Sequence, residues 1–179
     1  MKSDKTQKEI SIVQTDDPVL REKAQQVKPE DIGSARIKKI IADMKAAVDS
    51  QKDGVAIAAP QIGESLRIFV VSCTVMREAD PEFKGVGKHL VFINPTIQKL
   101  SKKMQSIEEG CLSVRWKYGW VMRALKATVS AYDENGKPFT RGASGILAQV
   151  FQHEVDHLEG KLFIDTAKDV HDLPPEEVM

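Results

Sequence analysis

Gln152-His-Glu-Val-Asp-His-Leu158 is the stretch of sequence on which the predicted fold depends. His153 and His157 are four residues apart, so on an α-helix their imidazoles project from one side, one turn apart. Two imidazoles in this arrangement can bind one metal ion, and Glu154 between them can act as a base toward water held by that metal. The motif therefore predicts a helix that carries a metal site.

The residues before this motif extend the predicted helix. From residue 144 to residue 158 the apolar side chains recur with helical spacing, and Gly160 is suited to end the helix. A second amphipathic helix is predicted for residues 34–50, where the apolar residues fall on one face and Ser34 can cap the first turn. The chain thus carries one helix near its N-terminus and one late helix.

Between the two helices the hydrophobic pattern is typical of β-strands. Residues 67–73 and 90–93 are short runs of apolar, mostly β-branched or aromatic side chains. Residues 126–132 alternate between polar and apolar side chains, and the Asp-Glu-Asn-Gly sequence at 133–136 favours a hairpin turn after them. These patterns predict several antiparallel strands.

Two breaks separate the predicted strands. Asn94 and Pro95 follow the second run and favour its end. The charged segment before that run contains Pro81, Gly85 and Gly87, and it is predicted to be a surface loop.

Together these elements predict an α+β fold, in which antiparallel strands pack around the late metal-binding helix and an additional N-terminal helix. A chain of 179 residues is long enough for one hydrophobic core but short for two, so a single domain is expected. We expect a polar N-terminal extension in residues 1–10, a catalytic domain in residues 11–164, and an acidic, loosely held C-terminal tail in residues 165–179.

Composition limits the classes of function. Twenty-six basic residues balance 26 acidic residues, and this argues against a protein whose main task is nucleic-acid binding. The two cysteines form no disulfide framework, and no apolar run has the length of a membrane span. The N-terminal residues do not match a signal or transit peptide, so a cytoplasmic location without membrane association is expected.

A catalytic site of the zinc type needs a third protein ligand beside the two histidines. Cys111 is one candidate, because it stands beside a glycine in the unusual setting Glu108-Glu-Gly-Cys-Leu-Ser113. His89, His171 and Glu159 are others, and spacing alone does not select among the four.

A third segment, Gly54-Val-Ala-Ile-Ala-Ala-Pro-Gln-Ile-Gly63, has features of a place where two backbones approach closely. Its residues are small, glycines bound it, and Gln61 is its one side chain able to hydrogen-bond. The segment by itself also fits a glycine-bounded strand edge that carries an exposed glutamine.

Taken together, the three segments resemble the signature motifs of the peptide deformylase family, in the family's order and at compatible separations. The second motif is intact at residues 109–113 and the third at residues 152–158. The likeness covers nearly the whole chain after about Ile10, and it extends to residues 92–95, 131–133 and 160–165.

The resemblance implies a reaction and a set of residues for it. The reaction is hydrolysis of the N-formyl group from the N-terminal formylmethionine of nascent polypeptides, with release of formate. One divalent metal ion is implied, bound by Cys111, His153 and His157. Glu154 is the implied base, and the developing oxyanion is implied to meet the side-chain amide of Gln61 and the backbone N–H of Leu112.

The resemblance also implies how the substrate is bound. The family positions for the apolar methionine pocket correspond to Val55, Ile107, Ile146 and Val150. Ala56 and Gly110 complete the expected substrate-binding residues, and the peptide is expected to lie along the first motif as an extended strand. Glu109 and Arg123 match a family pair that ties the cysteine loop to the following strand.

Four positions depart from the family pattern, and they bear on substrate preference and rate. Ala56 replaces the second glycine of the first motif, and Arg115 stands where proline is common. Gln149 occupies a pocket position that is usually apolar, and Tyr118 occupies one that often holds a substrate-contacting arginine.

Cofactor and partners follow from the same resemblance. Ferrous iron is the implied working metal, and zinc, nickel or cobalt also suits two imidazoles and a thiolate. The implied partners are formylmethionyl nascent peptides at the ribosome, with no direct nucleic-acid binding and no membrane. The sequence predicts no oligomeric state.

Two other functions fit parts of the pattern. A metallopeptidase or another amidase would use the same metal and glutamate. A non-catalytic homologue that binds formylated N-termini or ribosomes would fit Ala56 and the altered flank of the second motif, but it would have no need of Glu154.

Overall fold

Three α-helices and eight β-strands form the regular structure of the residues that the computed structural model describes, 9–85 and 88–175. The helices are α1 (Ala35–Asp49), α2 (Cys73–Ala79) and α3 (Gly145–Leu158). The strands are β1 (Ala56–Ala58), β2 (Ile68–Val71), β3 (Leu90–Leu100), β4 (Met104–Gly110), β5 (Lys117–Ala124), β6 (Lys126–Tyr132), β7 (Pro138–Ser144) and β8 (Lys168–Asp172). This confirms the predicted α+β class.

The strands form two antiparallel sheets. One has five strands in the order β1-β2-β3-β6-β7, and the other has three in the order β4-β5-β8. The larger sheet is covered on both faces. Because successive side chains of a strand point to opposite faces, Phe69 of β2 packs in the cluster that contains α3, and Ile68 packs in the cluster that contains α1.

Helix α1 forms where the sequence predicted it. Ser34 caps it, its hydroxyl accepting a hydrogen bond from the backbone N–H of Ile37 at 3.3 Å. The apolar face, which includes Ile40 and Met44, is buried against the larger sheet. Burial of this face, more than intrinsic helix propensity, stabilises a helix of this length.

Helix α3 packs in the main core and links the two sheets. Phe151 contacts Phe92 at a ring-centroid distance of 5.1 Å, and Phe92 stacks on Phe69 at 4.3 Å. The side-chain amide of Gln152 accepts a hydrogen bond from the N–H of Ala124 at 2.9 Å and donates one to its carbonyl at 3.0 Å. Gln152 therefore attaches the middle of α3 to the end of β5.

Helix α2 begins inside a run of residues that the sequence predicted to be a strand. Residues 67–73 were expected to be one strand, but β2 ends at Val71, and α2 starts at Cys73 inside the run. The Ser72 hydroxyl caps the helix, accepting from the N–H of Val75 at 3.3 Å. The predicted loop therefore begins only after Ala79, and Gly87 lies outside the described residues.

Strand β3 continues through Asn94 and Pro95, where the sequence predicted that it would end. The strand continues to Leu100, with a register shift against β6 between Ile93 and Thr96. Such a bulge leaves a residue outside the hydrogen-bond ladder, so proline's missing N–H is tolerated there. Asn94, at φ 50°, accepts from the N–H of Val27 and donates to its carbonyl, both at 2.8 Å.

Strands β4, β5 and β8 were not predicted individually. In β4 and β5 polarity does not follow burial, because Trp120 and Met122 are exposed while Glu109 and Arg123 are buried, and this hides the alternation. Strand β8 pairs with β5, although it lies within the segment expected to be a loosely held tail. The division of the chain at residues 11 and 164 stays a prediction, and residues 1–8 and 176–179 of its flanking parts lie outside the described residues. Over the described ranges, no helix combines the length and apolar character of a membrane span.

Gly160, which follows α3, provides a test of the packing between the end of this helix and the N-terminal region. It has φ 72°, and a Cβ atom there would lie 2.5 Å from the carbonyl oxygen of Arg21. Gly33 has φ 87° with nothing within 4 Å of its Cβ position, so it is a control for backbone strain alone. G33A should lower the free energy of unfolding by about 1 kcal/mol, and G160A by roughly 2–4 kcal/mol.

Urea unfolding of both variants measures the difference between these two losses. Equal losses would mean that the Arg21 contact imposes no constraint on the position after α3.

Candidate metal centre and cavity

Three side chains that can bind a metal converge between the second and third motifs. Cys111 follows directly after β4, and His153 and His157 lie on α3. One donor atom from each lies within 4.8 Å of the other two. The Cys111 sulfur is 3.3 Å from Nε2 of His157. Two imidazoles and a thiolate suit a divalent transition metal, so the chemistry of these donors fits a metal ion.

The other candidates for a third ligand lie in contacts elsewhere. Nε2 of His89 is 2.8 Å from a carboxylate oxygen of Asp49. His171 is 3.2 Å from Glu108, and Glu159 is 2.7 Å from Arg67. Of the four candidates for the third ligand, the tertiary structure thus brings Cys111 to the histidine pair. The spacing of residues in the sequence did not select among them.

Gly110, the residue before Cys111, allows the backbone to pass close to β5. It faces Tyr118 across the β4–β5 pair, and a Cβ atom at Gly110 would lie 2.5 Å from the Tyr118 ring. A larger residue would push the ring or the end of β4 aside. The backbone beside Cys111 is therefore held close to β5.

A buried chain of charges supports His153. Its Nδ1 is 3.3 Å from Glu109, and the Glu109 carboxylate receives four hydrogen-bond contacts from Arg123 at 2.7–3.2 Å. Arg123 also donates to Asp156 at 2.7 Å. Because Nδ1 faces Glu109, Nε2 of His153 is left for the metal side, the usual arrangement of a metal-binding histidine.

These contacts shift the ionisation of the groups involved. Burial raises the pKa of Glu109, but hydrogen bonds from His153 and Arg123 outweigh it and hold that pKa below its ordinary value. Burial lowers the pKa of His153, but hydrogen bonds with Cys111 and Glu109 raise it well above its ordinary value. Burial lowers the pKa of His157 well below its ordinary value, and the neighbouring His153 adds to this.

Glu154 lies beside the three ligand candidates with an unsatisfied carboxylate oxygen. The residue is 4% exposed, and its Oε2 has no hydrogen-bond partner among the described residues. Burial raises the pKa of Glu154 to about 7, a shift that the charge of His153 partly opposes. A buried carboxyl group that exchanges its proton near neutral pH is suited to general acid–base chemistry.

Gln61 is buried in the site, at 1% exposure, so the alternative of an exposed glutamine is wrong. Its side-chain oxygen accepts from the N–H of Ala58 at 2.9 Å. Its Nε2 donates to the Ser113 hydroxyl at 3.1 Å and lies 3.6 Å from the Cys111 sulfur. These contacts fix the amide with its nitrogen toward Cys111.

A cavity of about 300 Å³ opens beside these groups. Its walls include five of the six residues expected to bind substrate, namely Val55, Ala56, Gly110, Ile146 and Val150. Leu112 lines it as well, together with Gln61, Cys111, His153 and Glu154. Ile107 is not part of the lining, and it lies half-buried on β4 opposite Val121.

The cavity mouth contains an ion pair that sequence reasoning missed. Arg115 donates to Asp53 at 2.7 Å and to Gln51 at 2.8 Å, and its guanidinium lies 4.3 Å from the centre of the Trp116 ring. The hydrogen bond from Arg115 lowers the pKa of Asp53. No local signal connects Asp53 with Arg115, since they are 62 residues apart in the sequence.

Comparison with known sequences decides the family. The sequence model of the polypeptide deformylase family matches residues 10–172. The chain belongs to the peptide deformylase family. It is 42% identical over 161 residues to peptide deformylase 1A, chloroplastic/mitochondrial, of Arabidopsis thaliana. That match covers 86% of the chain but 60% of the plant protein, so the chain spans about three fifths of the length of this deformylase.

Solved peptide deformylase structures have the same fold. The enzyme from Legionella pneumophila matches with a TM-score of 0.76 and 38% identity, over 89% of this chain and 86% of that one. A Met-Ala-Ser-bound peptide deformylase of class I type b from Acinetobacter baumannii matches with a TM-score of 0.76 and 30% identity, over 87% and 96% of the two chains. The resemblance to the deformylase family is confirmed, and this family consists of metalloenzymes.

The Arg123–Glu109 pair should dominate the stability of the loop that carries Cys111. Their side chains are 8% and 2% exposed, so R123M leaves a buried carboxylate without its main partner. Loss of one partner of a buried pair typically costs about 3–5 kcal/mol. Arg141 forms a more exposed pair with Asp80 at 2.9 Å, and R141M should cost less than about 1 kcal/mol.

Urea unfolding of the metal-free variants at neutral pH measures both losses. Because the pKa of Glu109 is lowered in the fold, its stabilising contribution is present above the unfolded pKa and is lost as pH falls through the folded one. If R123M and R141M lose the same small amount, the buried pair does not hold the loop.

Proposed function

We propose that this chain hydrolyses the N-formyl group from the N-terminal formylmethionine of polypeptides, releasing formate and a free N-terminus. The observation that carries the proposal is one cavity lined by a buried carboxyl group, an oriented amide and two members of the convergent Cys-His-His group, Cys111 and His153, with His157 3.3 Å from the Cys111 sulfur. Family membership supports the same reaction. The Met-Ala-Ser peptide in the Acinetobacter structure corresponds to a product of this kind.

Cys111, His153 and His157 are the proposed ligands of one divalent metal ion. When bound there, the ion would acidify water and polarise the carbonyl group of the substrate. Glu109 would hold the ring of His153 in place from the opposite side, and Arg123 would hold Glu109.

Glu154 is the proposed proton carrier. Its carboxylate would take a proton from the water that attacks the formyl carbon, and its acid form would pass that proton to the departing nitrogen as the C–N bond breaks. The proton count balances, because one proton of the consumed water reaches the nitrogen through Glu154 and the second follows as the formic acid ionises, so that formate and a protonated amine leave. The buried position beside His153 supports this role, since proton transfer then occurs away from bulk solvent.

Gln61 and Leu112 are the proposed donors to the developing oxyanion. The amide of Gln61 is oriented before substrate arrives, because Ala58 and Ser113 occupy its other hydrogen-bonding positions. A preorganised donor stabilises the transition state without reorganisation during the reaction. The backbone N–H of Leu112 is the second proposed donor, at the turn that follows Cys111.

The cavity supports a substrate with an unbranched apolar side chain. Val55, Ile146 and Val150 contribute apolar surface to a space of about 300 Å³, which suits methionine. Ala56 and Gly110 also line the cavity, and the substrate backbone would run beside them. Ile107 was expected to contact the methionine side chain, but its place outside the cavity lining gives that contact no support.

Ferrous iron is the proposed working metal, with zinc, nickel and cobalt as substitutes that suit the same ligands. Nascent polypeptides in the cytoplasm are the proposed substrates.

The function is tested with formyl-Met-Ala-Ser and the metal-loaded full chain. Formate should appear together with free Met-Ala-Ser, and E154Q should lower kcat by about 10²–10⁴-fold while retaining the metal. E30Q, at an exposed position outside the cavity, is the control and should keep full activity.

Other outcomes distinguish the alternatives. Cleavage at an internal peptide bond would identify a peptidase and overturn the proposal. Tight binding of the formyl peptide without formate release would identify a non-catalytic binder. Unchanged turnover in E154Q would refute the role of Glu154.

The two cysteines provide a matched test of the metal site. C111A should lose the metal, because one of the three convergent donors is removed, whereas C73A should retain it. Elemental analysis of protein purified without air measures the metal content. Chelation should abolish formate release in the unmodified chain, and ferrous iron should restore it more fully than zinc. Equal metal content in C111A and C73A would contradict the assignment.

A further inference from the structure

Val13 and Gln14, near the N-terminus, form hydrogen bonds with the backbone of both residues proposed as oxyanion donors, Gln61 and Leu112. The backbone N–H of Val13 donates to the carbonyl of Gln61 at 2.9 Å. The side-chain amide of Gln14 donates from Nε2 to the carbonyl of Leu112 at 3.0 Å. Two neighbouring residues near the N-terminus are thus bonded to two residues that lie 48 and 98 positions further along the chain.

Gln14 holds the turn after Cys111 at both ends. The turn is closed internally by a hydrogen bond from the N–H of Val114 to the carbonyl of Cys111 at 3.0 Å. Gln14 adds an external pair, because Nε2 donates to Leu112 and Oε1 accepts from the N–H of Arg115 at 3.3 Å. Both contacts require a side chain with a donor and an acceptor, which an amide supplies and a carboxylate does not.

We propose that Gln14 is a positioning residue for the reaction, clamping the turn of residues 112–115 so that the Leu112 N–H stays aimed at the substrate oxygen. Val13 holds Gln61 in the same way, so one short segment sets the distance between the two donors. This inference rests on the proposed function and deepens it. Gln14 acts through the turn, since it does not line the substrate cavity.

The surroundings of Gln14 make its removal tolerable for folding. The residue is half-buried and lines a second open cavity of about 340 Å³, together with Ile12, Gln51, Leu112 and Arg115. Its truncation therefore creates no sealed void in the core, and the hydrogen bonds are the main loss.

The matched control is Gln98 on β3. Its side chain makes one hydrogen bond to the Ser130 hydroxyl at 2.7 Å, at an exposed position outside the cavity lining. Q14A, Q14E and Q98A together separate the donor bond to Leu112 from general effects of losing a glutamine. Q14E keeps an acceptor for the Arg115 N–H but has no donor for the Leu112 carbonyl.

Kinetics with formyl-Met-Ala-Ser form the first arm of the experiment. Loss of the hydrogen bond to the Leu112 carbonyl, which Q14A and Q14E share, should lower kcat about tenfold in both variants. KM and the affinity for Met-Ala-Ser should change less than about twofold, because the product lacks the formyl oxygen. Q98A should match the unmodified chain. Unchanged kcat in Q14E, or equal losses in kcat and product affinity, would overturn the inference.

Hydrogen exchange forms the second arm, and it does not depend on activity. Exchange in a peptide that covers residues 111–117 should rise in Q14A and Q14E but not in Q98A, and the melting temperature should fall by no more than a few degrees, because only hydrogen bonds are lost. If the unmodified chain releases no formate, the proposed function fails, but hydrogen exchange still tests whether Gln14 holds the turn of residues 112–115. Unchanged exchange at residues 111–117 would overturn the inference even if the enzyme is active.

Discussion

The buried ion pair between Arg123 and Glu109 is the interaction on which the site depends. Arg123 extends from β5 and contacts Glu109 on β4 and Asp156 on α3, so one guanidinium joins three elements. Glu109 is two residues before Cys111 and also contacts His153. The same pair therefore brings the cysteine to the helix and orients one of the histidines, and its low exposure protects it from screening by salt.

Helix α3 serves the core and the site with different faces. Phe151 and Leu158 pack in the main core, while His153 faces the cavity. Because the helix is held by a large apolar contact and by Gln152, its histidines are presented on a rigid element. Rigid support of this kind is what precise metal coordination needs.

The proposed oxyanion donors come from irregular segments, so their positions need support from elsewhere. Ser113 and Ala58 orient Gln61, and the N-terminal segment at Val13 and Gln14 bonds the backbone of both donor regions. Such contacts couple the beginning of the chain to a site whose other components lie after residue 50. The N-terminal segment is thus part of the architecture of the site as well as of the fold.

Local sequence patterns are sufficient to predict the two long helices, the strand at residues 126–132 and the membership of the family. These features depend on the spacing of residues within one segment, and a helix or strand that buries one face shows that spacing directly in its sequence. The tertiary structure is needed to establish which candidate ligand meets the histidine pair, how β3 continues past Pro95 through a bulge, and that α2 starts at Cys73. It also decided the contacts of Gln14 and Asp53. Each of these depends on contacts between residues far apart in the chain, and the residues next to one partner do not indicate which distant residue it will contact.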